Sequence, residues 1–438
     1  MTVKRTPGGQ TLIFRNITFQ VLIAAIAGYT LANLVGDPGD VADPSGFYEL
    51  ILLLKSVFLS ALKMLIAPMI FFSLIGGIAS IGNVIRLRSL GAITVTYYLV
   101  TTTAAILLAL FAVYFIHPWT SYPPLPDIEV SFDASRMITA ESGSLVAVLQ
   151  QMFNLAFTNP VSALVNLNIL GIVANAFLIG VAMVLVLEEK SPLFTVVRDI
   201  NAVIARVLGW VIRIMPIGVF AILYDFTLKI SGDGGFGESF LSQLFQFGVL
   251  VVILTLVHGL IVLPAIAWMT TRENPLIVLR KISQPMLVAF STSSSAATLP
   301  ISMRAADDEL RVEKGVSSFV LPLGATMNMD GTALFEAVAA VFLAYLYGIE
   351  LTNLTIFTIF LMSMVASIGA PGMPSASMAG MQMVLLAVGI PLEAIAILLV
   401  IERPLDTVRT AVNVEGDLIG SLVVDRHLAR NAGATIPA

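Results

Sequence analysis

The chain has 438 residues, 58% hydrophobic and only 12% charged, with a mean hydropathy of +0.95. Soluble domains carry about 25% charged residues, so the composition points to an integral membrane protein. Cysteine is absent, which excludes disulfides and thiolate chemistry, and a formal net charge of −5 gives no hint of nucleic-acid binding.

A membrane span takes roughly 20 mostly apolar residues. Stretches of that kind run over 15–35, 47–80, 89–116, 144–187, 193–225 and 239–270. MTVKRTPGGQ leads into the first without a small-residue cleavage pattern, so that span is expected to be retained. Several stretches exceed one crossing, which implies tilt or a break. Asn159-Pro160, within FTNPVSALVNLNILG, is where continuous helix is disfavoured. Lys4, Arg5 and Arg15 precede the first span, Arg86 and Arg88 follow the second, and Arg272, Arg280 and Lys281 follow the sixth. The alternate loops carry Asp127, Glu129, Asp133 and Glu141, then Asp225, Asp233 and Glu238. The positive-inside rule then puts the N-terminus in the cytoplasm and YPPLPDIEVSFD outside, with six crossings before residue 270.

The last third reads differently. Residues 276–307, containing LIVLRKISQPMLVAFSTSSSAATLPISMR, are apolar at both ends, with serines and threonines in the middle and Lys or Arg on both flanks. That is the pattern of a re-entrant hairpin entering from the cytoplasm. Residues 352–395, containing LMSMVASIGAPGMPSASMAGMQMVLL, repeat the plan with Gly, Pro and Ser at the middle. A polar-bearing helix comes after each, at 313–348 and at 396–428, the last returning to Arg426 and Arg430 in the cytoplasm. If the first of these helices crosses outward, the second hairpin enters from outside and the two halves are inverted. Inverted repeats with non-helical backbone at membrane depth mark secondary transporters, because such backbone is tolerated only where it lines a site.

On the last helix, Glu402, Asp406, Arg409, Thr410, Asn413 and Asp417 share one face. Each charge near the bilayer centre costs ~2.5–3.5 kcal/mol on insertion scales. An internal Asp–Arg pair gluing helices is one reading. The other is a binding surface, with Arg409 for a carboxylate, Asp406 for an ammonium and Asp417 for a cation. NMDGT adds Asp330 in apolar sequence, with Gly331 permitting unwound backbone and oxygens for a Na⁺ cage, or merely a kink. Glu336, just over a turn beyond Thr332, could carry a proton or serve as a neutral hydrogen-bonding group. The serine run is either small-residue packing or an anion-binding tip. It makes a poor nucleophile, since no His or Lys lies nearby and His117, His258 and His427 have no evident partner. An enzyme is therefore not expected.

Together STSSSAATLP, GATMNMDGTAL, ASIGAPGMP and LDTVRTAVNVEGD, in this order, resemble the glutamate/aspartate transporter family of dicarboxylate/amino acid:cation symporters. The resemblance extends to LLKSVFLSALKMLIAPMIFFSLIGGIASI and TYYLVTTTAA, and so to nearly the whole chain. It implies an all-α polytopic membrane protein with eight transmembrane helices, two re-entrant hairpins and inverted repeats, working as an elevator-type transporter in a homotrimer. Residues 1–88 and 144–225 would be scaffold helices 1–2 and 4–5. Residues 89–116 (helix 3) and 239–428 would form the transport domain. By resemblance, Asp406 holds the substrate amino group and Arg409 its side-chain carboxylate. Asn413, Thr410, Ser293 and Ser295 hold the main carboxylate, and Thr332, Met373 and Ser377 close the pocket. One Na⁺ falls to Gly324, Asn328, Asn413 and Asp417, and a second to Asp330, Asn328, Tyr98, Thr101 and Thr102. A third falls to Thr326, Met329, Ser367, Ile368 and Ala370.

The chain departs from the family pattern in places. Ser293 and Thr407 occupy the two positions where family branches carry an extra Arg, with Arg403 the nearest replacement. Glu402 stands near a usual Asp, and Pro371 is an additional proline in the second hairpin. Glu336 matches the proton-linked Glu of the animal branch. Keeping both Asp406 and Arg409 favours acidic amino acids over C4-dicarboxylates, which need no Asp406, and over neutral amino acids, which need no Arg409. Purely proton-driven coupling and an anion channel lined by Arg409, Arg403 and the serine tips are the competing readings. The expected setting is the cell (inner) membrane, with lipid around the protein and both termini cytoplasmic.

Overall fold

The computed structural model describes residues 17–80, 88–121, 150, 153–188, 190–231, 236–369, 377–390 and 394–431. Among them the secondary structure is helical, and no strand occurs. The acidic loop 122–133, the N-terminal basic residues and the tip of the second hairpin, including Ala370 and Met373, lie outside the described residues.

The first helices follow the apolar runs closely: α1 (Ile17–Val35), α2 (Gly46–Ser80) and α3 (Arg88–Phe115). The expected break at Asn159-Pro160 is present. Asn159 accepts from the backbone N–H groups of Val161 and Ser162 and starts the short α4 (Pro160–Val165). Asn168 then caps α5 (Ile169–Val186). An Asn cap satisfies N–H groups that have no intrahelical partner, so each break keeps its backbone paired.

The run read as one span over 193–225 is instead two helices, α6 (Pro192–Arg213) and α7 (Met215–Ser231), bent by 51°. Pro216 is the cause: it lacks an N–H, and its ring collides with the carbonyl four residues back. The sixth run is α8 (Phe236–Val257) and α9 (Leu263–Thr271), joined by a π-helical turn at His258–Val262. Five runs among the described residues are long and apolar enough to cross a membrane, or six if the bent pair is one span. Large apolar side chains such as Leu34, Phe111, Phe177 and Leu287 face outward.

Next come two helix pairs separated by a broken helix. The first pair is α10 (Pro275–Thr292) and α11 (Ser295–Arg304), turning at Ser293 with φ 51°. The broken helix is α12 (Lys314–Met327) and α13 (Asp330–Leu346), interrupted at Asn328-Met329. The second pair is α14 (Asn353–Gly369) and α15 (Ser377–Ala387), and α16 (Ile395–Asn431) closes the order.

Packing divides along these lines. α1 packs chiefly on α7, and α2 on α5, α6 and α7. α16 runs through a second group, against α3, α8, α9, α10, α12 and α13, while α14 lies on α15, α13 and α3. Within the first group Asp225 ties α7 to α2, accepting from Tyr48 and Lys55, each at 2.6 Å, with Lys229 at 3.2 Å. In the second group Arg426 pins the base of the first helix pair to α16. It donates to Glu273 (2.9 Å), to the Leu310 carbonyl (3.1 Å) and to Asp425 (2.5 Å).

Candidate functional site

α16 turns the charged face expected from its sequence into the second helix group. Arg409 is fully buried. Its Nη2 donates to Glu402 Oε1 (3.0 Å), Asp406 Oδ1 (3.2 Å) and Ser377 Oγ (3.1 Å). Ser377, at the start of α15, donates to the same Glu402 oxygen at 3.2 Å. Phe335 of α13 lies under the guanidinium, its ring centroid 4.0 Å from Cζ, a cation–π contact in a dry place. Nε and Nη1 of Arg409 meet no protein acceptor. A buried guanidinium ordinarily fills its donors. Two unmet nitrogens in a closed site therefore suit carboxylate oxygens, which make the strongest hydrogen bonds with them. Arg403 approaches Asp406 from the other side at 3.8 Å, so that carboxylate lies between two arginines.

The first expected cation group comes together. Asp417 accepts from Asn328 Nδ2 at 3.1 Å. A Cβ at Gly324 would overlap the Asp417 carboxylate and crowd the Tyr98 hydroxyl, so only glycine lets α12 and α16 approach so closely here. Asn413, the fourth expected member, instead uses its Oδ1 to accept from the Gly331 N–H at 2.8 Å. Its Nδ2 reaches the Thr332 hydroxyl at 3.4 Å.

The second group is also assembled. Asp330 Oδ1 accepts from Thr102 at 2.7 Å and Thr101 at 3.4 Å, and Thr101 also donates to Asn328 Oδ1 at 3.2 Å. Tyr98 is buried beside them and donates to the Val320 carbonyl at 2.7 Å. Here one expectation is corrected: His258 does have a partner. It is fully buried, with Nε2 3.1 Å from Asp330 Oδ2. That partner lies 72 residues away, which is why nothing local in the sequence signalled it.

The third group is brought together only in part. Thr326 and Met329 sit around the α12–α13 break, Ser367 and Ile368 end α14, and α12 packs on α14. The Thr326 and Ser367 hydroxyls donate to carbonyls of their own helices, and the Ile368 carbonyl faces Gly77 of α2. In the first two groups carboxylates are outnumbered by amide, hydroxyl and carbonyl oxygens, donors that suit a hard cation. Among the described residues no three or more His, Cys, Asp or Glu are grouped so that they could hold a metal ion by themselves.

The serine tip is buried and ordered by its own backbone bonds. Ser294 accepts from the Ala297 N–H at 3.2 Å, while Ser293 and Ser295 flank the turn against α16. Thr410 donates to the Asp406 carbonyl at 2.7 Å, so its methyl and oxygen stay near the arginine face.

Glu336 is fully buried on α13, and neither carboxylate oxygen has a partner. It lies against the second helix pair, where a Cβ at Gly380 would overlap it and come within 3.0 Å of Ala366. Glu415 has the same unpartnered burial on the opposite face of α16, beside Gly259 of the π-turn. Sequence reasoning gave Glu415 no role. Phe335 was missed too, and Glu402 was placed on the charged face and noted as a departure but given no partner, although its spacing of seven from Arg409 was a usable signal.

A family model described as the sodium:dicarboxylate symporter family matches residues 17–427. The excitatory amino acid transporter of Caenorhabditis elegans is 30% identical over 443 residues, covering 92% of this chain and 85% of that protein. Excitatory amino acid transporter 2 of Rattus norvegicus is 31% identical over 475 residues, covering 98% and 81%. Excitatory amino acid transporter 5 of Homo sapiens is 30% identical over 428 residues, covering 84% and 75%. The match takes in both helix pairs, the broken helix and the charged face of α16. The chain belongs to the sodium:dicarboxylate symporter family.

Proposed function

We propose that the protein is a secondary active symporter for L-aspartate or L-glutamate, coupled to Na⁺ and to a proton. The observation that carries this reading is the fully buried Arg409, with Asp406 beside it at 3.2 Å and two nitrogens without acceptors. An α-amino dicarboxylate offers a carboxylate to the first and an ammonium to the second. The excitatory amino acid transporters that the chain resembles support the same substrate class.

In this reading eight helices cross the membrane, and the two helix pairs are re-entrant hairpins. α1, α2, α4–α7 form the scaffold of a homotrimer, and α3 with α8–α16 form the transport domain that moves as an elevator. The denser packing inside each group than between them supports that division. Na⁺ enters the Asp417 and Asp330 groups, the substrate spans Arg409 and Asp406, and the second hairpin closes over both. A partly loaded set of acids is too polar to pass the apolar scaffold cheaply, which makes occupancy a condition for movement.

Uptake of radiolabelled L-aspartate into proteoliposomes tests the reading, comparing an inward Na⁺ gradient with a proton gradient. Uptake driven by Na⁺ and blocked by excess L-glutamate, but not by L-serine, is expected. A C4-dicarboxylate is the second reading, favoured by one observation: Asp406 already faces two arginines, at 3.2 and 3.8 Å. Stronger block by succinate than by L-glutamate would select it. Glu336→Gln is expected to flatten the pH dependence of Na⁺-driven uptake several-fold, and an unchanged pH profile would leave Glu336 a structural group.

A further inference from the structure

We propose that Glu415 of α16 and the π-helical turn at His258–Val262 form a Na⁺ site, separate from the three cation groups described above. The ion sits between the Glu415 carboxylate and the free carbonyl of Gly259. The site does not depend on which dicarboxylate Arg409 receives.

The π-turn leaves one backbone oxygen without a donor. In an α-helix the Gly259 carbonyl accepts from residue 263, and in a π-helix from residue 264. Here the Leu263 N–H goes to the His258 carbonyl, and residue 264 is proline, which has no N–H. A buried carbonyl without a partner is costly, and π-turns of this kind recur at functional sites. Glu415 reaches the same place. Its side chain is fully buried and neither carboxylate oxygen has a hydrogen-bond partner. Oε2 lies 2.9 Å from where a Gly259 Cβ would be, and Val412 Cγ2 lies 2.8 Å from that point. Glycine is what admits the carboxylate to the backbone.

Charge and oxygen count select the occupant. Two carboxylate oxygens and a carbonyl are all acceptors. A proton on Glu415 pairs two of them, and a buried water leaves the charge unbalanced. A hard cation meets all three. One carboxylate balances one positive charge, which suits Na⁺, whereas Ca²⁺ takes about six to eight oxygens, carboxylates among them. The place is also distinct. Glu415 and Asp417 stand two residues apart, about 200° around the helix, and so face different neighbours. Asp417 meets α12 and its Asn328 cap, while Glu415 meets the junction of α8 and α9. Both walls of this site belong to the second helix group, and neither is part of the second helix pair. The ion therefore binds without substrate and braces α16 against the α8–α9 junction.

The experiment measures binding of radiolabelled Na⁺ to the purified full chain in detergent, without substrate, beside Glu415→Gln and Asp417→Asn. Glutamine keeps the shape and offers an amide N–H to the Gly259 carbonyl, so that variant is expected to fold. At saturating NaCl, Glu415→Gln is expected to bind one Na⁺ fewer per chain than the parent. Asp417→Asn is expected to lose a different ion, and the double variant both. Thermal melting in NaCl against choline chloride gives a second readout. The Na⁺-dependent rise in melting temperature is expected to shrink in Glu415→Gln, since an ion bound only to the folded state stabilises it. Gly259→Ala, which pushes a methyl against the carboxylate, is expected to lose the same ion and serves if the glutamine variant does not fold. An unchanged Na⁺ count in Glu415→Gln overturns the site. So does a protonated-carboxyl infrared band in NaCl that this variant removes. Loss of an ion in Asp417→Asn alone would sink this site and leave the coupling sites proposed above standing, whereas no Na⁺ binding in the parent would sink both.

Discussion

Arg409→Ala is expected to abolish Na⁺-driven uptake of acidic amino acids, a loss on the order of a hundredfold or more. Removing one partner of a buried, hydrogen-bonded charge pair costs about 2–5 kcal/mol. Three acceptors on two elements depend on this single guanidinium. The substitution also takes the guanidinium from two buried acids, Glu402 and Asp406, which threatens folding as well as binding. Arg409→Lys separates the two effects. It keeps the charge and satisfies Glu402 or Asp406, but a point ammonium cannot reproduce the planar fork. The lysine variant is expected to fold, by thermal melting in detergent, and still to lose most aspartate uptake. Undiminished uptake in that variant would remove Arg409 from the binding site.

The second large effect is expected at a residue with no side chain. Gly324→Ala places a methyl where the Asp417 carboxylate and the Tyr98 hydroxyl already sit. Overpacking a tight interior costs about 1–3 kcal/mol, and here the strain falls on a group assigned to hold Na⁺. The half-saturating Na⁺ concentration for uptake is expected to rise about tenfold, the equivalent of 1.4 kcal/mol. Gly209→Ala is the control, because nothing lies within 4 Å of its added Cβ and no change is expected. A Na⁺ activation curve of Gly324→Ala that overlays the parent's would separate Asp417 from cation coupling.

These expectations draw unequally on what could be read along the chain. The apolar runs, the break at Asn159-Pro160, both helix pairs and an interruption within NMDGT were legible, although the sequence pointed to Gly331 for the unwound backbone and the structure breaks the helix at Asn328-Met329, with Gly331 inside α13. Each depends on neighbours within a turn or two: span length, proline and asparagine chemistry, and a glycine beside polar residues. The polar face of α16 was legible for the same reason, since helical periodicity places Glu402, Asp406, Arg409, Asn413 and Asp417 without reference to any other element. The bend between α6 and α7 had a local cause in Pro216 but was masked by unbroken hydrophobicity on both sides.

The order of residues alone thus specifies a helical membrane protein with two interrupted helix pairs and a charged stripe on its last helix. Its motifs also point to its family. What that stripe meets was settled by tertiary packing. His258 reaches Asp330 from 72 residues away, Ser377 closes on Arg409 across 32, and Phe335 lies beneath the same guanidinium. Gly324 and Gly380 matter because carboxylates from other helices occupy the space a side chain would need. Local spacing sets which side chains share a face. Long-range packing sets which of those faces meet, and that pairing is what turns the separate acids of α13 and α16 and the arginine among them into one site.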